Sequence, residues 1–430
     1  MKSFACFRCL FVGCLLAIGF ALLSPWAQGQ DWTRFRGPNG TGQSEAKSIP
    51  ATFTDSDLNW RIKLPGIGHS CPVAWGEKIF IMSANPDDAT RYVLCINEAD
   101  GKILWRKDYP TKEYHLHARS SYASGTPAVD ADFVYVAFAD PDHMWIKALT
   151  HDGKEVWSQD YGQWVSQHGF GSSPVVVDDL VVVNWSQEPS KQANTPEPKE
   201  SFIIAVDRRR GEKRWRVEHK VDTSSYSVPC VYQPKGGAPQ IICCNTAEGM
   251  YGLNPKTGEE LWKLKAFKMR TVSSPVLVGD MVFGSTGSGA YSDNYIAGIK
   301  LGDKPELAYQ LKNSKDFKAP YVPCSVAYGD LLFLIYDKGF ASCIDIPTGK
   351  IHWFQRTDGA AFSGSPVRVA DKVYAVDEEG VVWTWAAEKE YKLLGKSPLG
   401  EPSRSTPAVT RGRMYLRTYE HLFSVGGKPL

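Results

Sequence analysis

A short phrase returns eight times along the 430 residues: a proline opening an apolar strand, a Gly or Asp turn, then a second and a third strand. The prolines are Pro72, Pro127, Pro174, Pro229, Pro275, Pro323, Pro366 and Pro407, spaced 55, 47, 55, 46, 48, 43 and 41 residues apart. A period of that size built from short strands is one supersecondary unit copied along the chain. The expectation is an all-β fold, an eight-bladed β-propeller of four-stranded antiparallel blades.

Uninterrupted apolar first strands such as Val175-Val176-Val177 and Val276-Leu277-Val278 suit an inner position, where adjoining blades cover both faces. The turns that follow, among them Gly76-Glu77 and Gly279-Asp280, accept the backbone angles of tight hairpins. Glycine precedes tryptophan by four residues at Gly101 and Trp105, Gly153 and Trp157, Gly211 and Trp215, Gly258 and Trp262, and Gly349 and Trp353. With Trp60, these indoles are expected to wedge between adjacent blades and lock their register. Tyr309 stands in for the tryptophan in unit five, and unit seven has no clear counterpart. Unit eight lacks a fourth strand, whereas Leu58-Asn59-Trp60-Arg61-Ile62 reads as an outer strand without a blade. Pairing the two completes blade eight and removes the open edge of the ring. Residues 57–430 are then one propeller domain, and the Gly/Pro-containing leader 30–56 is expected to cross its surface or extend from it.

Positions 1–29 read as a secretory signal peptide: Lys2 and Arg8 precede the apolar run from Leu10 to Leu23, and Ala27-Gln28-Gly29 offers a cleavage site after Gly29. The run is shorter than the roughly 20 residues of a membrane-spanning helix. A periplasmic or secreted monomer, not membrane-embedded, follows as the expectation. Of 49 basic residues, Lys2 and Arg8 leave with the signal, so 47 face 47 acidic ones and no overall field favours nucleic acid. Seven cysteines remain. Cys71, Cys230 and Cys324 lie beside the prolines of units one, four and six, too far apart to bridge. Cys243-Cys244 falls in a strand, where successive side chains point to opposite faces, which argues against a vicinal disulfide.

The Ser-Pro and Thr-Pro strand starts, with exits such as Asn254-Pro255-Lys256-Thr257-Gly258 ending at Trp262, resemble the pyrroloquinoline quinone repeat over nearly the whole mature chain. The resemblance implies the eight-bladed fold and two kinds of activity. Quinoprotein alcohol dehydrogenases hold the quinone (PQQ) and a calcium ion in the ring; envelope propellers similar to BamB are non-catalytic scaffolds. The dehydrogenases are generally longer and carry their adjacent cysteines on a loop against the cofactor, and neither a calcium cluster nor a general-base aspartate maps onto this chain residue by residue. The lipid-attachment cysteine of a tethered member is also missing. The leader Trp32-Thr33-Arg34-Phe35-Arg36-Gly37-Pro38 resembles the opening of exported members of the quinone-repeat group, and its arginines suggest contact with an acidic group or with the propeller's own surface.

Propeller ligands meet loops that enter the innermost strands. Counting back from each proline gives His69, Tyr122, His168, Tyr226, Arg270, Lys318, Phe362 and Arg404 as candidate ligand-binding residues at the channel mouth. Cations, imidazoles and aromatic rings together suit a small anionic ligand, or an envelope protein or peptide partner. Alanine at Arg270 and Arg404 is expected to weaken binding and leave thermal stability nearly intact. His115 and His117 lack further ligands in sequence and read as a solvated loop. Hydrolase signatures of the Gly-x-Ser-x-Gly and His-Glu-x-x-His types are absent. The reading is an exported, non-catalytic binding or scaffolding propeller with no cofactor and no metal. The alternatives are a PQQ- and calcium-dependent alcohol dehydrogenase and a glycan-binding propeller.

Overall fold

The first strand of each repeat is two or three residues long, as in Val73–Trp75, Ala128–Val129 and Val175–Val177, because it sits at a hub where eight sheets converge. The later strands run five to seven residues as the blades fan outward. The computed structural model describes Met1 and residues 31–189, 197–221, 223–358 and 360–427; the signal segment lies outside the described residues. Eight sheets result, each with four antiparallel strands, and the sheet of blade seven gains a fifth, parallel strand from the leader. In blade eight, Leu58–Lys63 pairs antiparallel with His421–Gly426, setting Trp60 opposite Ser424 and Arg61 opposite Phe423. The two ends of the propeller thus share one sheet, as the orphan strand predicted.

Seven of the eight anchoring prolines directly precede their inner strand. Pro323 does not: its strand begins at Val326, and Ser325 takes the proline's place. The reason lies one residue before that place, where a small side chain with a lone pair stands in most blades. Cys71 N–H donates to Thr126 Oγ1, Thr126 N–H to Ser173 Oγ, and Ser274 N–H to Cys324 Sγ. Cys324 N–H continues to Ser365 Oγ, Ser365 N–H to Thr406 Oγ1, and Thr406 N–H to Cys71 Sγ. Val228 N–H likewise donates to Ser274 Oγ, but its own valine side chain cannot accept from Ser173. A belt of hydrogen bonds therefore runs from blade to blade around the hub. Cys71 and Cys324 serve in it as acceptors, while all seven described cysteines are buried and unbridged.

Between blades, the indole N–H of Trp60, Trp105, Trp157, Trp215 and Trp353 donates to a backbone carbonyl of the next blade, at Glu98, His151, Arg208, Pro255 and Glu388. Four of these rings lie flat on the turn glycine of that blade: a Cβ on Gly101 would come within 2.8 Å of Trp60, and Gly153, Gly211 and Gly258 are equally close to their partners. Those glycines therefore do two things, adopting positive φ and exposing a flat backbone surface. Tyr309 fills the same role in unit five, its hydroxyl on Ile346 O and its ring on Gly349. Trp262 differs: its N–H bonds Gln240 Oε1 in its own blade. Where blade seven lacks an aromatic wedge, the leader substitutes. Ile49 and Phe53 pack with Tyr374, Leu399 and Val409, and Phe53 N–H reaches Ser397 Oγ.

The first part of the leader enters the channel instead of crossing the outer surface. An innermost strand has one unpaired edge, and its inward N–H groups need acceptors. Trp32 O accepts from Ala74 N, Thr33 O from Val129 N, Asn39 Oδ1 from Val231 N, and Gly42 O from Arg368 N. These four donors occupy the same position in blades one, two, four and seven. Gln43–Ser44 then adds a parallel strand to Val367–Val369. Arg34 donates to Pro229 O at 2.7 Å and Arg36 to Ser325 O at 2.5 Å, so the leader arginines meet carbonyl oxygens and no acidic side chain. The leader is a plug, held by the free edges of the hub.

Candidate functional site

With one end of the channel plugged, the other opens into a chamber of about 530 Å³ whose lining includes Phe35 of the plug together with Cys71 and Cys324. Two sets of loops form the walls: those entering the innermost strands, and the hairpins joining second and third strands at the same end of each blade. Of the candidates, His69, His168, Tyr226, Arg270 and Arg404 line this chamber. Tyr122 lies in an adjoining cleft, its hydroxyl on Tyr114 O and its ring under Arg91. Phe362 is fully buried against Trp383, and Lys318 is not among the lining residues.

The sequence count missed the other half of the walls. Tyr291 and Lys338 come from hairpins of blades five and six and Tyr321 from the entry to blade six, while Glu378, from the hairpin of blade seven, backs the wall through Ser363 and Arg404. Glu188 follows the second strand of blade three. The long entry loop of blade two supplies His117 and Arg119 and arcs over the mouth. Arg119 Nη1 reaches Tyr291 Oη at 2.8 Å on the far side of the ring, and Arg404 Nη1 holds Ala118 O at 2.7 Å. His117, assigned to a solvated loop from sequence, packs against His168 with the rings tilted and their centroids 4.9 Å apart.

The three carboxylates that back the chamber wall, Glu188, Glu378 and Asp337, are each bonded to lining residues. Glu188 Oε2 accepts from Arg270 at 2.6 Å and from Ser224 N at 3.1 Å, and its Oε1 lies 3.2 Å from His168 Nδ1. Burial alone raises such a carboxyl, but His168 and the Arg270 charge outweigh it and hold Glu188 below the usual range. Glu378 takes Ser363 Oγ at 2.6 Å and Arg404 at 3.2 Å, with Arg119 at 3.8 Å. Asp337, fully buried behind the wall, accepts the Tyr321 and Val322 amides, yet burial pushes it up to about 6. His69 is driven the other way, to about 3, by burial and then by the Arg417 and Arg404 charges.

These shifts set a pH dependence. His69, and His219 in blade three, lowered by burial to about 4, are neutral in the fold and protonate readily only when unfolded. Their contribution is present above pH 6.5 and is lost as pH falls below it. Asp337, raised, has the opposite sign and offsets one of them below pH 6. Urea unfolding of wild type should therefore lose stability between pH 7 and 5. In His219→Leu that loss should shrink by about 2 kcal/mol.

Among the described residues no cluster of three His, Cys, Asp or Glu side chains is placed to hold a metal ion, and no helix is long and apolar enough to cross a membrane. Cys243 and Cys244 point into different blade interfaces, away from the chamber.

Comparison with known proteins agrees with this architecture. The family described as outer membrane protein assembly factor BamB matches residues 89–298. BamB from Moraxella catarrhalis superposes with a TM-score of 0.59 at 14% identity, covering 85% of this chain and 96% of that one. A europium-containing methanol dehydrogenase gives 0.66 at 13% identity, covering 90% and 89%. Quinohemoprotein alcohol dehydrogenase from Comamonas testosteroni also gives 0.66 at 13%, covering 93% and 81%. A tetrathionate hydrolase of Acidithiobacillus ferrooxidans is 24% identical over 234 residues, 52% of this chain; the match spans 42% of that relative's length. At these identities the solved structures share a fold with this chain, whatever their activities. The repeat phrases, the eight closed blades and these matches together show an eight-bladed β-propeller built of pyrroloquinoline quinone-like repeats, similar to the BamB family over residues 89–298.

Proposed function

We propose that the chain is an exported, non-catalytic binding or scaffolding module of the cell envelope, which seats part of a protein or peptide partner at the open mouth of the chamber. One observation carries this reading: no acidic side chain lines the chamber among the described residues, and those just behind its wall are each tied to an arginine, a serine or a backbone amide. A general acid or base needs a free lone pair or proton aimed at a substrate, and here those positions are spent on holding the walls.

The PQQ and calcium alternative fares worse on the residues present. Calcium takes six to eight oxygen ligands, whereas Glu188, Asp337 and Glu378 are committed to different partners. The adjacent cysteines are in blade cores, so they supply no contact to a ring bound in the chamber.

A photo-crosslinking residue at position 338, on the rim, is expected to capture an envelope partner, while the same residue at position 104 on an outer strand is not. Incubation with the quinone and calcium should give no alcohol-driven dye reduction. Stoichiometric quinone binding with turnover would replace this reading with the dehydrogenase. Selective retention on a glycan array would replace it with the glycan-binding propeller.

A further inference from the structure

The protein has almost no net charge once the signal is set aside, yet its axis does not share that balance. Arg36 is fully buried and Arg34 nearly so, and neither forms an ion pair among the described residues. Arg417, buried beside His69, bonds only Ser70 O, Met82 O and Ser83 Oγ. Arg119, Arg270, Arg404 and Lys338 line the chamber itself, whereas no carboxylate does among the described residues; Glu188 and Glu378 stand behind Arg270 and Arg404 as their partners. Lys338 is exposed and rests on the Tyr291 ring at 4.2 Å with no carboxylate partner. Surrounded by low-dielectric protein, such an excess concentrates its field along the one open path, which is the mouth.

A second observation points the same way. Arg36 Nη1 is buried without a hydrogen-bond partner, and the guanidinium lies beside Cys71 and Cys324, both of which line the chamber floor. The Arg270 and Arg404 Nε atoms and His69 Nδ1, on chamber-lining residues, are also enclosed and unpartnered. Burial lowers Arg34 to about 10 and Arg417 to about 9, the response of cations deprived of a counter-charge. Buried charge without compensation is costly, and a bound anion removes that cost.

We infer that the chamber binds a ligand bearing at least two carboxylates. Resting on the binding-module reading, this narrows the occupant to an acidic peptide segment or a free dicarboxylate, two sources of one chemistry. Tyr226, Tyr291 and Tyr321 supply the apolar contact between the charged points.

The test is calorimetric titration of the whole mature chain with three probes: succinate, an end-capped tetraglutamate peptide, and its tetraglutamine counterpart. Succinate, tetraglutamate or both should bind at one site, more weakly as salt is raised, while tetraglutamine should not bind. Lys338→Gln, which alters an exposed side chain, should weaken binding about ten-fold; Lys256→Gln, on an outer turn, should leave it unchanged. Binding of tetraglutamate alone identifies an acidic segment as the ligand, and binding of succinate alone a free dicarboxylate. The inference is overturned if neither acidic probe binds better than tetraglutamine, or if Lys338→Gln binds as tightly as wild type. Capture of a partner from position 338 together with no anion binding would leave the module reading standing and remove this one.

Discussion

Arg36→Leu should destabilise the propeller by about 3–4 kcal/mol, read as a lower urea midpoint with an unchanged slope. Arg36 donates to Gly40 O, Thr41 O and Ser325 O, so one side chain holds the leader's turn closed and ties it to blade six. Hydrogen bonds from a charged donor contribute about 1.5–3 kcal/mol each, and leucine leaves all three oxygens buried without a donor. Removing an unpaired buried cation works in the opposite direction, since desolvation already depresses the Arg36 pKa. Three lost bonds outweigh that relief of a few kcal/mol. Lysine should not rescue the loss, because one ammonium cannot span acceptors that the planar fork reaches from different nitrogens. Equal stability of Arg36→Leu and wild type would show that relief of the buried charge cancels the three lost bonds.

Arg270→Ala should cost about 3–5 kcal/mol, because it strands Glu188, which is only 5% exposed, as an unpaired buried charge. The sequence expectation that Arg270 and Arg404 could be trimmed with stability nearly intact is therefore corrected: both are committed to wall carboxylates. Glu188→Gln combined with Arg270→Gln should recover most of the loss, giving a coupling of roughly 2 kcal/mol or more in a double-mutant cycle. Additive single effects would mean that the pair is solvated and weak.

The fold was legible because its devices are local and repeated. A proline before a β-branched run, a glycine four residues before an indole and an orphan strand at Leu58 each report a constraint that the ring imposes many times over. Pro323 misled because the belt selects for a small acceptor at Cys324, and proline at the next position is optional. The candidate site was read with half its loops. Counting back three to six residues from each proline finds the entry loops but not which of their side chains turn toward the axis, so it landed on buried Phe362 and on Lys318 away from the chamber. The 55-residue interval from Pro72 to Pro127 did signal a long entry loop, the one that carries His117 and Arg119 over the mouth. Glu188, Tyr291, Lys338 and Glu378 had no comparable signal. They lie beyond second strands, and which hairpins share an end with the entry loops follows from blade geometry, not from any local motif.

The plug and the closing strand together impose an order of assembly. Residues 31–63 leave the ribosome first, yet their resting places are hub edges contributed by blades one to seven and a sheet edge at His421–Gly426 near the other end of the chain. This segment, made before any blade, is therefore the last to be seated. Until synthesis is complete, the nascent propeller is an open crescent with an unfilled bore, and a partner binding that bore competes with the leader.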